Sequence, residues 1–458
     1  LKTSFTNNKR EQKKKEWLHI KATKRKNKFQ SFNSVDAKLK AVQVDKDQKL
    51  IEKLKEQVFS QFSQLIVPGV NDIIIEIPQN FCFVGHYPEC MKAIRDFAGA
   101  LYDYLGMEVT LDFSKCQKAD VSALFVLQIV RLEIDEKLQI MQNKLSTLSI
   151  LPQIKVKLPK SRDVIRLMAV AGYPISSDGF KDLDNDSTLV PIHNMGYLKG
   201  SASQKHYLEN KKSVFTSYVV KYLNSCLDEH GYMLTDSETN NIDGIISEIL
   251  SNAEDHSGTK YWYITANFSK EVSGSGSDAI GELNLTILNF GFSIYQAFQE
   301  TKVLNSEMYN EVSEYVRTLL STYKNLPFSE EQLFTLATMQ EQVSRLKFER
   351  SSRGTGTMKF INSFLELGDY EDRKKGFIPN LSIFSGNVHL ICDNTFKPFE
   401  KENVYCLSLN PENDLNIPPR ASHLRKLSET FPGTLLSVKI YLNKNHLDRK
   451  YGGDHERN

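Results

Sequence analysis

Glu248, Asn252 and His256 put a carboxylate, an amide and an imidazole four residues apart in the stretch Glu248-Ile-Leu-Ser-Asn252-Ala-Glu-Asp-His256. Four residues is about 400° of helical rotation, so on a helix the three polar groups share one face. Behind them Ile242, Ile245, Ile246, Ile249, Leu250 and Ala253 follow the i, i+3, i+4, i+7 spacing of a buried stripe. An amide oxygen is a hard ligand for Mg²⁺, and a carboxylate one turn away can orient or deprotonate an attacking water or hydroxyl. A helix that packs by one face and presents these groups on the other suits a metal-nucleotide site.

Two further pieces of chain bear on the same chemistry. After the apolar run Leu283 to Leu288 comes Asn289-Phe-Gly291-Phe-Ser-Ile294, where a side chain able to read a base edge ends a strand and a glycine admits a flat ring close to the backbone. Further on, Arg350-Ser-Ser-Arg353-Gly354-Thr355-Gly356-Thr-Met leads directly into the helical pattern Lys359 to Leu367. Glycines that open a helix present backbone N–H groups and the positive end of the helix dipole to phosphates, and arginines beside them add charge-assisted bonds. Each piece alone has an ordinary reading. A GxG before a helix is a turn more often than a phosphate cradle, His256 with Gly258 behind it suits a helix end, and Glu248 with Asn252 suits a solvated helix face. Their order along the chain decides for nucleotide.

The elements that must position these groups follow from periodicity. Helical patterns cover 213–230 and 236–256, and strands cover Tyr261 to Phe268 and Glu282 to Asn289, joined by the flexible Ser273-Gly-Ser-Gly-Ser277. Residues 295–350 read as mainly helical and polar, with no strand candidate. Strands resume at Leu381 to Cys392, Val404 to Leu409 and Thr434 to Leu442. Upstream, 31–66 reads as helical until Pro68-Gly69 breaks the run. Strand and helix patterns then alternate: Asp72 to Pro78, Pro88 to Leu105, Glu108 to Phe113, Val121 to Lys144 and Gln153 to Leu158. This alternation predicts an α/β unit with a mixed or parallel sheet covered by helices. A polar interruption over 177–209 reads as a linker, and 446–458 as a tail.

Over about residues 210–442 the sequence resembles the GHKL family of ATP-binding domains, shared by histidine kinases, gyrase, mismatch-repair ATPases and anti-sigma serine kinases. The Glu248, Asn252 and His256 box carries the most specific part of the likeness. The resemblance implies an α/β sandwich, a mixed sheet with helices on one face, and ATP with Mg²⁺ as its ligands. It makes Glu248 the general base, Asn252 the Mg²⁺ ligand and His256 the third member of the box. Asn289 stands where an aspartate usually binds the adenine amino group. Gly291 matches the first glycine of the next motif, with Ser293 in the position of its second. Arg353, Gly354, Thr355 and Gly356 match the phosphate loop, Thr357-Met358 replaces the usual Leu-Gly, and Thr434 matches a threonine near adenine on a late strand. Residues 295–350 would form an unusually long helical ATP lid.

In the first unit, Asp112-Phe-Ser-Lys-Cys-Gln-Lys-Ala-Asp120-Val-Ser122-Ala-Leu124 joins a strand to a helix and looks like the STAS-type anti-sigma-antagonist motif. Residues 67–176 are read as this smaller STAS-like α/β domain. Ser122 matches the phosphorylatable serine of that motif, Val121 and Ala123 depart from it, and Asp120 is equally a plain helix N-cap.

Composition narrows the function classes. The hydrophobic share of 40% and charged share of 25% are those of a globular chain, and no run approaches the roughly 18 apolar residues of a membrane span, so cytoplasm is the expected location. Six cysteines lack CxxC spacing, which disfavours a zinc knuckle or a compact disulfide framework. Residues 1–30 carry eleven Lys/Arg against Glu11 and Glu16, a local +9 within a net +2. That tail reads as a solvated extension, and contact with nucleic acid through it is a weaker expectation. With the family likeness, the function expected is a regulator that hydrolyses ATP or transfers its phosphoryl group to a protein partner or to its own STAS-like domain. A non-catalytic ATP-binding module is the alternative, and an ATP-gated clamp on nucleic acid, of the kind that would suit stress or phage-defence signalling, ranks below both. A histidine-kinase variant is disfavoured, since no His-Glu/Asp-x-x-x-Pro helix precedes the ATP-binding region. Association with a second copy of the chain is left open.

Overall fold

The computed structural model describes residues 46–145, 149–173, 192–201, 209–273, 280–340, 343, 356–368, 378–401, 404–443 and 445–448, less positions 53, 54, 56–58, 60, 61, 67, 68, 230, 233, 257 and 260. The chain divides into two compact units, one of Leu1–Ala169 with Tyr173–Ile175 and one of Val170–Gly172 with Ser176–Asn458. Both combine helices with sheets, as the α/β reading expects. Among the described residues no helix is long and apolar enough to cross a membrane.

The first unit runs β1 (Ile74–Glu76), β2 (Asn80–Phe81), α1 (Phe83–Asp103), β3 (Glu108–Asp112), β4 (Lys118–Ala119), α2 (Val121–Gln142), β5 (Gln153–Lys157) and α3 (Arg162–Val170). Its main sheet is parallel, in the order β1-β3-β5. Both crossovers step in the same direction, so the right-handed rule places α1 and α2 on one face, where they pack together. Ile75, Val109 and Leu111 are buried beneath them. The other face carries ion pairs, Lys155 to Glu108 and Lys157 to Asp112, both at 2.8 Å. Every residue from Val121 to Val130 is buried, which accounts for the apolar start of α2. The regular part of α1 begins beside Pro88, because Val84, Gly85 and His86 have non-helical backbone angles.

Asp120 ties this unit together at one point. Its Oδ1 accepts from Ala123 N at 2.6 Å, capping α2, and its Oδ2 accepts from Phe83 N at 2.7 Å, holding the entry to α1. The N-cap reading of Asp120 is thus correct, and Ser122 lies buried in the capped turn.

The second unit runs β6 (Ile192–Ser201), α4 (Glu209–Asp228), α5 (Asp236–His256), β7 (Tyr261–Ser273), β8 (Ile280–Phe290), α6 (Ile294–Gln299), α7 (Thr301–Leu304), α8 (Ser306–Thr322), α9 (Glu330–Thr338), α10 (Gly356–Leu367), β9 (Asn380–Asp393), β10 (Phe399–Lys401), β11 (Val404–Cys406) and β12 (Leu424–Asn443). Its five-stranded sheet has the order β6-β7-β8-β12-β9. All four neighbouring pairs are antiparallel, which corrects the expected mixed sheet. The reason is connectivity: β7 and β8 form a hairpin, and two successive helices return the chain from β6 to the end it left. Helices α4, α5 and α10 share a core with one face of the sheet, through Leu223, Ile246, Leu250, Phe360 and Phe364 against Ile264, Leu285 and Val438.

Two boundary expectations change. The linker read over 177–209 contains β6, an edge strand whose Gly196, at φ 76°, stands at a register shift. Two glycines and few apolar residues hide such a strand from pattern reading. In the stretch read as a tail, His446 and Leu447 are buried, and the Tyr232 hydroxyl donates to Asp448.

The stretch expected as a lid is a docked helical layer over its described length. Tyr295, Phe298, Tyr309 and Phe334 form a ring cluster with centroids 5.6–6.3 Å apart. Glu331 accepts from the backbone and side-chain nitrogens of Asn387, each at 2.9 Å. Gln340 donates to Leu407 O at 3.0 Å and accepts from Leu407 N at 2.9 Å. Polar spacing in the sequence concealed this inward face.

The cysteines behave as buried thiols: Cys90, Cys116, Cys226, Cys392 and Cys406 are buried, none is in a disulfide, and burial pushes Cys90, Cys226 and Cys392 far up. His389 is buried against Phe384, its ring stacked at 4.1 Å, with Nε2 3.3 Å from Ser382 Oγ. Burial, with Arg425 adding to it, pushes its pKa down to about 3.

Two outcomes follow. Asp120→Ala removes both caps and is expected to lower the unfolding free energy by about 1–3 kcal/mol, read from urea titrations. For His389 the unfolded chain binds the extra proton between pH about 6.5 and 3 while the folded chain does not, so stability falls as pH drops through this window. Between pH 7.5 and 5 the wild type should therefore lose about 2 kcal/mol more than His389→Gln. Equal losses in the two proteins would refute the assignment.

Candidate functional site

All six apolar residues of the α5 stripe are buried, while Glu248 and Asn252 are half-buried. The helix packs on α4, α10 and β7. Its C-terminal end is fixed by Trp262, whose Nε1 donates to Glu254 Oε1 at 2.9 Å. The indole lies over Gly200 of β6, where a Cβ would come within 2.0 Å of the ring, so only glycine fits. His256 is the last residue of α5, and its side chain lies outside the described residues. Gly258 then turns the chain at φ 65°, and a Cβ there would stand 2.7 Å from the Phe292 ring. The end of the helix thereby meets the turn that follows Asn289.

Asn289 is the penultimate residue of β8 and faces Trp262 on β7 and Thr434 on β12. Thr434 in turn faces Ser385 on β9. Residues directly opposite share a sheet face, so Asn289, Thr434 and Ser385 form a polar row on the face that Leu285 and Ile287 present to the helices. Asn289 is only 7% exposed, and its Oδ1 is buried with no hydrogen-bond partner among the described residues. An orphaned buried acceptor costs about 1–3 kcal/mol. A ligand donor is one way such a group is satisfied.

Around the orphan the backbone is tightly set. Thr434 Oγ1 lies 2.8 Å from Ser385 Oγ, which accepts from Ile294 N at 2.8 Å. Gly433, at φ 125°, passes so close that a Cβ would be 2.2 Å from Asn289 O and 2.8 Å from Gly291 N. Gly291 N donates to Pro432 O at 3.3 Å. Ser293 caps α6 in a capping box with Gln296, which explains a serine where the family likeness has a second glycine.

The remaining piece is only partly described. Arg353, Gly354 and Thr355 lie outside the described residues; Gly356 is the first residue of α10, which packs on α5, β9 and β12. Met358 is fully buried in the core. Of the sequence-derived set, then, Asn289, Gly291 and Thr434 come together, and Glu248 and Asn252 stand on the helix layer over the same sheet face. Among the described residues no three His, Cys, Asp or Glu side chains form a metal cluster. A magnesium ion on Asn252 would complete its shell with phosphate oxygens and water, the usual arrangement for that ion.

Four contributors escaped the sequence reading: Ser385, Gly433, Phe292 and the Trp262 to Glu254 bond. Gly433 had a signal, since Pro432-Gly433 marks a turn. Ser385 had none, because long-range pairing through two register shifts decides what it faces.

Gly433→Ala should push the Asn289 to Gly291 backbone away and cost about 1–3 kcal/mol in urea unfolding. An unchanged midpoint would show that the close approach is not a constraint. No protein-family model, curated protein or solved structure matches the chain.

Proposed function

We propose that the second unit binds Mg-ATP in the GHKL manner and that the protein is an ATPase or serine-kinase-like regulator. The orphaned Oδ1 of Asn289 carries this reading. It is a buried acceptor at the end of a strand, beside a hydroxyl pair and a glycine turn, and an adenine amino group is the donor it lacks. Asn252 would hold Mg²⁺, and Arg353, Gly354, Thr355 and Gly356 would hold the phosphates. Bound Mg-ATP would supply a γ-phosphoryl group whose developing charge the metal neutralises. Glu248, half-buried on α5, would accept the proton of an attacking water or hydroxyl.

The acceptor is water or a hydroxyl of a partner protein. Ser122 of the STAS-like unit is a poor candidate, because it is buried in the first turn of α2 under the double cap of Asp120. A second reading, in which nucleotide is only a structural ligand, draws support from the docking of α6 to α9. A cover held to β9 by Glu331 and to Leu407 by Gln340 does not open readily.

Calorimetry of the full chain with ATP and Mg²⁺ should give saturable heat that Asn289→Leu abolishes. Glu248→Ala should keep binding while phosphate release, or transfer to a partner, drops at least about 10²-fold. Binding with both proteins silent favours the structural-ligand reading, and no heat from the wild type overturns both.

A further inference from the structure

An amide at position 289 can do something a carboxylate cannot. Rotation about χ2 lets Asn289 present either an oxygen acceptor or an NH₂ donor to the same point, whereas a carboxylate only accepts. The hydroxyl pair next to it has the same freedom. Ser385 Oγ accepts from Ile294 N at 2.8 Å and has two acceptors for its own proton, Thr434 Oγ1 at 2.8 Å and Gly433 O at 3.4 Å. When Ser385 donates to Thr434, the Thr434 proton is left to meet a ligand acceptor. When Ser385 donates to Gly433 O, Thr434 can donate to Ser385 and keep a lone pair for a ligand donor.

Asn289 and Thr434 are direct cross-strand partners, so their Cβ atoms stand about 5 Å apart on one face, within reach of two adjacent edge atoms of one base. A 6-amino purine shows a donor at its exocyclic nitrogen and an acceptor at N1. A 6-oxo purine shows an acceptor at O6 and a donor at N1. The row can match the first pattern with Oδ1 and the Thr434 proton, and the second with Nδ2 and the Thr434 lone pair.

We propose that Asn289, Thr434 and Ser385 form a reversible reader of the purine 6-position, so that the site takes 6-amino and 6-oxo purine nucleoside triphosphates alike. This rests on the nucleotide-binding reading and deepens it by naming the substrate class. The hydroxyl pair accommodates either polarity, because the Ser385 proton has both Thr434 Oγ1 and Gly433 O within reach.

The test is calorimetry of the full chain with ATP, ITP and purine riboside triphosphate, which lacks the 6-substituent, each with Mg²⁺. ATP and ITP should bind within about tenfold of one another, and the unsubstituted purine should bind at least about tenfold more weakly than either. Asn289→Asp should keep ATP and lose ITP by at least about tenfold. Should that variant not fold, Thr434→Val should weaken ATP and ITP to equal degrees, and a loss confined to ATP would overturn the proposal. ATP binding with ITP a hundredfold weaker sinks the reader and leaves the nucleotide reading standing. No binding of any of the three sinks both.

Discussion

Cross-strand register between β8, β12 and β9 is the constraint on which the candidate site depends. Eleven consecutive pairs, from Gly433 opposite Phe290 to Asn443 opposite Ile280, fix β12 against β8. A slip of one residue would turn Asn289 to the other face of the sheet and bring Leu288 in its place. The apolar residues below it prevent that slip, since Leu285, Ile287, Val438 and Ile440 would leave the core together. The hydrophobic effect thus positions a polar row it does not itself contain.

Glycines complete what register begins. Gly433 lets one backbone pass against another, Gly200 admits the Trp262 indole that fixes α5 through Glu254, and Gly258 admits the Phe292 ring at the end of the same helix. Each is a place where a single carbon would separate two pieces of chain that are distant in sequence. Helix and strand end therefore meet with little slack, and their shared face is set by packing rather than by flexible loops.

Much of this was legible in the chain alone. The α5 stripe is a local signal, read from 3.6-residue spacing, and every one of its residues is buried where the spacing places it. Asp120 was legible for the same reason, since a cap is a feature of adjacent residues. What escaped was non-local. Whether the sheet is mixed or antiparallel depends on how many helices separate two neighbours in space, and the edge strand β6 offers only half a pairing pattern with two glycines in it. Residues 294–340 read as polar because their inward residues, among them Phe298, Val316 and Phe334, are spread over separate short helices and meet only in the folded chain.

Three unfavourable features of the second unit meet at one end of the sheet. A buried amide oxygen without a partner among the described residues, a backbone approach that excludes any side chain at Gly433, and a 44% exposed Phe292 ring meet where β8 and β12 pair at that end. Far from that end, the same sheet is closed by Leu283, Phe268 and Ile440, each buried at 0–1% exposure. A fold optimised for stability alone would put an apolar residue at position 289, because Ile287 two residues earlier shows that the strand accepts one on that face. Sheet register is what keeps this acceptor on the face it shares with Thr434 and Ser385.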